Sequence, residues 1–268
     1  MKLVVLGSGS RGNAFVVTSG GCSLLLDAGF GPRTLVQRAK KVGIDLRGVV
    51  GIVLTHEHGD HARGAGALAR KVGCPIFASG GTLTALGDRL DGTRRNRITP
   101  HRDTAIGPFS VMGCRTSHDA AEPMAFVVGV NGVRLGLAYD LGRPTAAVRY
   151  LLRGVTGLLL EANHDEILLR TGPYPASLRA RIAGAGGHLS NRAAGELLAE
   201  LCHEKMDSVV LVHLSDRCNR SDIARSEVEQ ALSARGFRGQ LFVARQDEPL
   251  DPICVGQEPG QFELGIAG

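Results

Sequence analysis

Residues 49–61 read VVGIVLTHEHGDH: an apolar run that closes at Thr55, followed at once by His56, His58, Asp60 and His61. In an extended segment, side chains two apart point the same way, so His56 and His58 can reach one ion together. Gly59 permits a sharp turn, after which Asp60 and His61 come round to a second ion. Imidazole and carboxylate donors suit Zn²⁺, and also Mn²⁺ or Fe²⁺. Taken singly, Asp60 could cap a helix starting at His61, and a lone histidine is often a polar loop residue. The joint pattern H-x-H-x-D-H favours a site for two divalent metal ions.

Around this segment, short runs rich in Val, Leu and Ile predict strands at 2–6, 14–18, 23–27, 49–55, 109–114, 125–130, 133–139, 157–161, 208–214 and 240–244. Several are apolar throughout, which fits strands buried on both faces. Helical patterns fall at about 33–42, 61–72, 81–90, 144–152, 175–184, 191–204 and 222–234. Ser190 or Asn191 can cap the helix at 191, and Ser221 the helix after it. Two sheets packed face to face with helices outside would bury all these strands, so the predicted fold class is α/β, a four-layer αββα sandwich. No linker, repeat or low-complexity tract divides the chain, and one domain is expected over 1–268, with 246–268 a weakly patterned, loose tail.

Composition narrows the function. Aromatic residues are 4% of the 268 and tryptophan is absent, which argues against an aromatic stacking platform for single strands. The net charge of +5 favours acidic partners such as nucleic acid. The six cysteines contain no C-x-x-C pair, so no thiolate zinc cluster is indicated. The first residues lack a secretory pattern and no apolar run approaches a membrane span. A cytoplasmic protein without a membrane partner is expected, its cysteines reduced.

The H-x-H-x-D-H pattern, preceded by LLLDAG at 24–29, resembles the signature of the metallo-β-lactamase superfamily. That resemblance implies three further ligands downstream, for which the candidates are His118 in RTSHDAAEP, Asp140 in LGLAYDLG and His213 in VVLVHLSDR. Each lies at the end of a predicted strand, where sites of layered α/β proteins gather. The implied arrangement has His56, His58 and His118 on one ion, Asp60, His61 and His213 on the other, and Asp140 between them. Asp27 would support the site without binding metal.

The third motif of lactamases, G-H-T-x-G-H, is missing. GGHLSNRAAGELLAEL at 186–201 instead resembles a segment of ribonuclease Z whose histidine acts near the scissile phosphate; His188 is the matching residue. GSGSRGNAF (7–15), LLLEANHD (158–165), TGPYPASLRARI (171–182) and GHLSN (187–191) are similar to the YycJ/WalJ-type exonucleases. The long tRNA-gripping arm of ribonuclease Z has no counterpart. This resemblance implies a 5′→3′ exonuclease acting on DNA in repair or metabolism, with two Zn²⁺ or Mn²⁺ ions. Phosphorus would be attacked by water that the ions activate, Asp60 and His188 would be catalytic, and His188 would protonate the leaving oxygen. Glu161 is expected to orient ligand histidines; Glu57 either shares that task or is an exposed loop residue. Ser10, Asn13, His164 and Asn191 are candidate substrate contacts, and Arg11, Arg179, Arg181, Arg217, Arg220 and Arg225 candidate phosphate contacts. His101 and His203 have no supporting context. The same ligands would equally serve a carbon-ester hydrolase such as a lactonase, thioesterase or β-lactamase, and a non-catalytic scaffold that kept the fold is the third alternative.

Overall fold

The structure is a computed structural model and describes residues 1–256. Its strands are β1 (Lys2–Gly7), β2 (Ala14–Ser19), β3 (Cys22–Leu26), β4 (Val49–Val53), β5 (Ile76–Ala78), β6 (Arg95–Arg97), β7 (Thr104–Ile106), β8 (Phe109–Arg115), β9 (Met124–Val130), β10 (Val133–Ala138), β11 (Gly157–Glu161), β12 (Ser208–Val212), β13 (Gln240–Val243) and β14 (Ile253–Cys254). They form two seven-stranded sheets, ordered β14-β1-β2-β3-β4-β5-β6 and β13-β12-β11-β10-β9-β8-β7. Each sheet is antiparallel at one end and parallel at the other: β3 to β6 run parallel in the first, β10 to β13 in the second.

Strand β1 shows why the runs are continuously apolar. Side chains alternate faces along a strand. Leu3 and Val5 enter the core between the sheets with Phe15, Phe109, Phe126 and Leu137. Val4 and Leu6 point the other way, into a layer with Leu35 of α1 (Pro32–Lys41) and Leu68 of α3 (Ala65–Val72). On the far side, Leu158 and Leu160 of β11 pack against Leu151 of α5 (Ala146–Leu151), Leu198 of α8 (Asn191–Leu201) and Val228 of α9 (Ser221–Ser233). The result is the expected order of helix, sheet, sheet, helix.

Four local expectations differ. The helix predicted over 61–72 is two, α2 (Gly59–Ala62) and α3, because the Gly64 amide between them donates to the Ala28 carbonyl at 2.8 Å and the Asp60 carbonyl accepts from the Asn13 amide, which breaks the helical hydrogen-bond ladder. Ser190 caps α8, its Oγ accepting from the Ala193 amide at 3.2 Å, whereas Arg220, not Ser221, occupies the N-cap of α9. Strands β5, β6, β7 and β14 and the helix α6 (Glu166–Thr171) were not foreseen; elements of two to six residues are too short to carry a period. Finally, the segment expected to be loose from 246 is tied down as far as Gly256. The Gln246 side chain accepts from the Arg11 amide at 2.7 Å and donates to the Gly12 carbonyl at 3.0 Å. The Leu250 amide reaches the Val5 carbonyl at 2.9 Å, and β14 pairs antiparallel with β1, covering an otherwise open edge. Positions 257–268 lie outside the described residues. Among the described residues, no helix is long and apolar enough to cross a membrane.

The remaining helices, α4 (Gly80–Leu86) and α7 (Ala176–Ala183), flank the loops at the strand ends. Those loops are packed backbone to backbone. The Asn13 amide donates to the Asp60 carbonyl at 2.8 Å and the Gly29 amide to the Asn13 carbonyl at 2.9 Å, leaving no room at Gly29: an added Cβ would overlap the Asp60 carbonyl. Gly29→Ala is therefore expected to cost about 1–3 kcal/mol through overpacking and to displace Asp60. Urea unfolding checks this, and stability within ~0.5 kcal/mol of the parent would show that the loops yield freely.

Candidate metal centre

The C-terminal ends of the parallel strands converge on one rim, where open α/β sheets place their sites. Asp27 follows β3, His56 to His61 follow β4, Asp140 follows β10, Glu161 closes β11 and His213 follows β12. His118 comes from the loop between β8 and β9, and His188 from the turn before α8. Asp27, Asp140 and His213 are left-handed, with φ of 54°, 53° and 57°. Side chains other than glycine rarely adopt that conformation; here it bends the chain sharply at the strand end and turns each side chain toward the others.

All seven residues read as ligands meet. His56, His58 and His118 present nitrogens within 4.8 Å of one another, as do the donor atoms of Asp60, His61 and His213. Asp140 lies between the two sets. Its Oδ2 is 3.0 Å from His61 Nε2 and 3.6 Å from His56 Nε2; its Oδ1 is 3.4 Å from His213 Nδ1 and 3.9 Å from His118 Nε2. Although buried, Asp140 Oδ2 accepts no hydrogen bond. An orphaned carboxylate oxygen is costly to bury, and a cation at this point would satisfy it. The donor set, imidazoles and carboxylates in two groups sharing an aspartate, fits a pair of divalent ions.

Five of these histidines are aimed by what holds their other nitrogen. Asp27 Oδ2 lies 2.7 Å from His61 Nδ1 and accepts from Thr55 Oγ1 at 2.7 Å and from the Tyr139 hydroxyl. Thr55 Oγ1 is 3.0 Å from His56 Nδ1. His118 Nδ1 faces the Gly187 carbonyl at 3.2 Å. Glu161 serves two rings: its Oε1 is 2.8 Å from His188 Nδ1 and 3.2 Å from His213 Nδ1, while its Oε2 accepts from the Leu141 and Leu189 amides. The His213 amide donates to Ser8 Oγ at 2.8 Å.

The electrostatics follow from burial and carboxylate contact. Burial would depress the histidines, yet Asp140, Asp27 and Asp60 raise His61 far above its ordinary value. Against the same desolvation, Asp140, Asp60 and Glu161 raise His213 to about 9, and Glu161 with Asp140 raises His188 to about 11. His56, crowded by other imidazoles and fully desolvated, falls well below the usual range. Burial would raise Glu161, but His188 and His213 hold it down at about 2. The rim is thus a concentration of carboxylate charge that attracts cations, and divalent ions would compete with protons for the imidazoles, so metal affinity falls as pH drops.

A cleft of about 290 Å³ opens over this centre, lined by His58, Asp60, His118, Asp140, His188 and His213, with Ser10 at its edge and α7 as one wall. Of the expected substrate contacts, only Ser10 faces this cleft. Asn13 is fully buried; its amide group engages Ser8 Oγ at 2.7 Å and the Gly9 amide at 3.1 Å, and tethers the Gly/Ser loop to the metal loop. Asn191 is also turned inward and exchanges amide hydrogen bonds with Asn219 at 2.9 and 2.8 Å. His164 borders a different cavity, on the other side of His188.

Arg181 faces the cleft and pairs with Asp119, whereas Arg11 is committed to Asp216 and Asp247. Arg220 pairs with Asp222, Arg225 donates to the Leu241 carbonyl, and Arg217 is exposed. Glu57 does neither thing expected of it: its Oε1 accepts from the Ala121 amide at 2.7 Å and so anchors the loop that carries His118. Thr55, Tyr139 and Ser8 were missed. The first two adjoin His56 and Asp140 in sequence, and Ser8 lies in the GSGSRGNAF segment at 7–15, which were the available signals.

Fold and centre together define a metal-dependent hydrolase with a site for divalent cations at the rim of two facing sheets. Residues 7–134 match the metallo-beta-lactamase superfamily. The chain is 34% identical to the exodeoxyribonuclease YycJ of Bacillus anthracis, over 94% of this chain and 97% of that protein. It is 28% identical to the exodeoxyribonuclease WalJ of Streptococcus pneumoniae, over 87% and 88%. The metallo-beta-lactamase fold protein YhfI of Bacillus subtilis superposes with a TM-score of 0.71 at 19% identity, covering 93% of this chain and 98% of that one. The chain belongs to the metallo-beta-lactamase superfamily and, within it, to the group of the YycJ/WalJ exonucleases.

Proposed function

We propose that the protein is a two-metal phosphodiesterase that removes nucleotides from DNA in the 5′→3′ direction, acting in the cytoplasm in DNA repair or metabolism. The observation that carries this reading is His188, fixed by Glu161 at 2.8 Å and lying 3.1 Å from Asp140 on the wall of the metal cleft. The similarity to the exodeoxyribonucleases YycJ and WalJ supports DNA as the substrate, and six free thiols fit a reducing compartment.

His56, His58 and His118 would hold one ion, Asp60, His61 and His213 the other, and Asp140 both; Zn²⁺ and Mn²⁺ are the candidates. Bound there, the ions lower the pKa of water and offset the charge that develops on a phosphoryl group. The chain supplies the remainder. Asp27, Thr55 and Glu161 keep the ligand rings turned inward. Glu161 occupies Nδ1 of His188, leaving Nε2 as the atom from which a proton passes to the departing oxygen. Arg181, beside the cleft, offers a guanidinium to a phosphate.

The test is an assay with Mn²⁺ or Zn²⁺ on DNA labelled at either end, with RNA, nitrocefin and a lactone in parallel. Mononucleotides should appear first from the 5′ end, and His188→Ala should slow DNA cleavage by about 10²–10⁴-fold. Turnover of nitrocefin or lactone with none of DNA would refute the proposal in favour of carbon-ester chemistry.

A further inference from the structure

His188 stands between two cavities. One is the metal cleft. The other, of about 550 Å³, lies on its far side and is lined by His164, Glu166, Arg170, Arg179 and Arg192, with the turn before α8 as its floor. Helix α7 divides the two: Leu178, Arg181 and Ile182 face the metal cleft, Arg179 and Ala183 the second cavity.

The second cavity is built for an anion. Three guanidinium groups border it against one carboxylate. Glu166 Oε1 is taken up by Arg192, at 3.0 Å from Nε and 2.9 Å from Nη2, and by the Ser190 hydroxyl at 3.0 Å. Arg192 also reaches Glu196 at 2.7 Å. Arg170 and Arg179 form no ion pair among the described residues; Arg179 Nη1 donates only to the Arg170 carbonyl, at 2.6 Å. Helix α8 points its N-terminus, capped by Ser190, at the same space, and the positive end of a helix of this length attracts a phosphate. A second, independent feature is His164. Its residue is only 3% exposed and lines the cavity, yet its Nδ1 has no hydrogen-bond partner. A buried donor or acceptor without a partner is unusual and points to a missing ligand.

We infer that this cavity is a second phosphate site, which takes a phosphate of the strand being cut on the side of His188 away from the metal centre. The inference rests on the phosphodiesterase reading. Guanidinium groups, an imidazole and helix amides match the oxygens of a phosphate, and the cavity has the size of a nucleotide-scale ligand site. Because one ring, His188, belongs to both walls, a strand lying across it would present one phosphate to the metals and another to Arg170 and Arg179. The phosphate is either the strand's terminal monoester or an internal diester.

The experiment compares the parent with Arg170→Ala/Arg179→Ala, both changes being at exposed or half-buried positions. A nuclease-resistant phosphorothioate dodecamer, with either a 5′-phosphate or a 5′-hydroxyl, is titrated by fluorescence anisotropy at several salt concentrations. The double variant should bind about tenfold or more weakly, with the slope of log K against log salt reduced by about 0.7 for each phosphate lost. A loss confined to the 5′-phosphorylated strand assigns the site to the terminal phosphate; an equal loss on both strands assigns it to an internal one. In parallel, the ratio of kcat/KM on cleavable DNA to that on bis(p-nitrophenyl) phosphate should fall by a similar factor. Affinity within threefold of the parent on both strands overturns the inference. If the parent neither binds nor cuts DNA, the nuclease reading itself has failed. Calorimetric titration with inorganic phosphate then decides the site: heat in the parent that is lost in the double variant sustains it, and equal heats reject it.

Discussion

Asp140→Asn should abolish hydrolysis while leaving the fold intact. Asp140 is the single carboxylate shared by both groups of donors, with nitrogens of His56, His61, His118, His188 and His213 all between 3.0 and 3.9 Å from its oxygens. Asparagine has nearly the same shape and tolerates the left-handed backbone that Asp140 adopts, φ 53°. The substitution therefore removes charge without forcing the strand end to move. Losing the shared anion would weaken the hold on both proposed ions, whose charge stabilisation of the transition state would be worth several kcal/mol; at about 1.4 kcal/mol per tenfold, kcat should fall by ~10³ or more. Metal content by atomic emission should drop below that of the parent, while the far-UV circular dichroism stays the same. Activity within tenfold of the parent would mean that the chemistry lies elsewhere.

Stripping the ions with a chelator should produce the second large effect, readable without any substrate. The centre gathers Asp27, Asp60, Asp140 and Glu161, all in or beneath one rim, around a set of buried imidazoles. Divalent ions bound there favour the native state alone. At a free concentration of a thousand times Kd, one ion adds about 4 kcal/mol, which for a chain of this size raises the melting temperature by roughly 8 °C or more. Chelation should lower it by that amount and end hydrolysis, and Zn²⁺ or Mn²⁺ should restore both. In Asp140→Asn the metal-dependent shift should shrink. A melting temperature indifferent to chelator and metal would contradict a metal centre at this rim.

The two results separate roles that activity alone would merge. A variant such as Gly29→Ala should lower stability with ions present or absent, because the overlap with the Asp60 carbonyl is steric. Asp140→Asn should act chiefly when metal is offered. The second phosphate site should leave the melting temperature alone and appear in DNA affinity and its salt dependence.

Much of the architecture was legible because burial on two faces leaves a plain imprint. The runs at 3–6, 24–26, 158–160 and 209–212 are apolar at every position, since one sheet face meets the other sheet and the opposite face meets helices. The short strands β5, β6, β7 and β14 left no such imprint, and β14 lies within the segment that reads as a tail. It is held as much by the backbone pairing of Lys2 with Cys254 and Leu3 with Ile253 as by any side-chain pattern. The residues expected at the substrate divide in the same way. Asn13 and Asn191 have the right chemistry in the right motifs, yet their amides serve buried loops.

The sequence by itself determined the chemistry: a dense cluster of imidazole and carboxylate at 56–61, further histidines and aspartates at strand ends, and a basic balance suited to phosphate. These are local properties of residue type and spacing. Only the tertiary structure decided which side chains meet. Parallel strands far apart in the chain end at one rim, left-handed residues at Asp27, Asp140 and His213 turn inward, and Glu161 joins His188 to His213. The second cavity is likewise a product of packing, because its arginines come from α6, α7 and α8 and become neighbours only when those helices settle around His188. Coordination and recognition depend on distances between residues remote in sequence, and those distances are set by the packing of sheets and helices, which spacing along the chain does not encode.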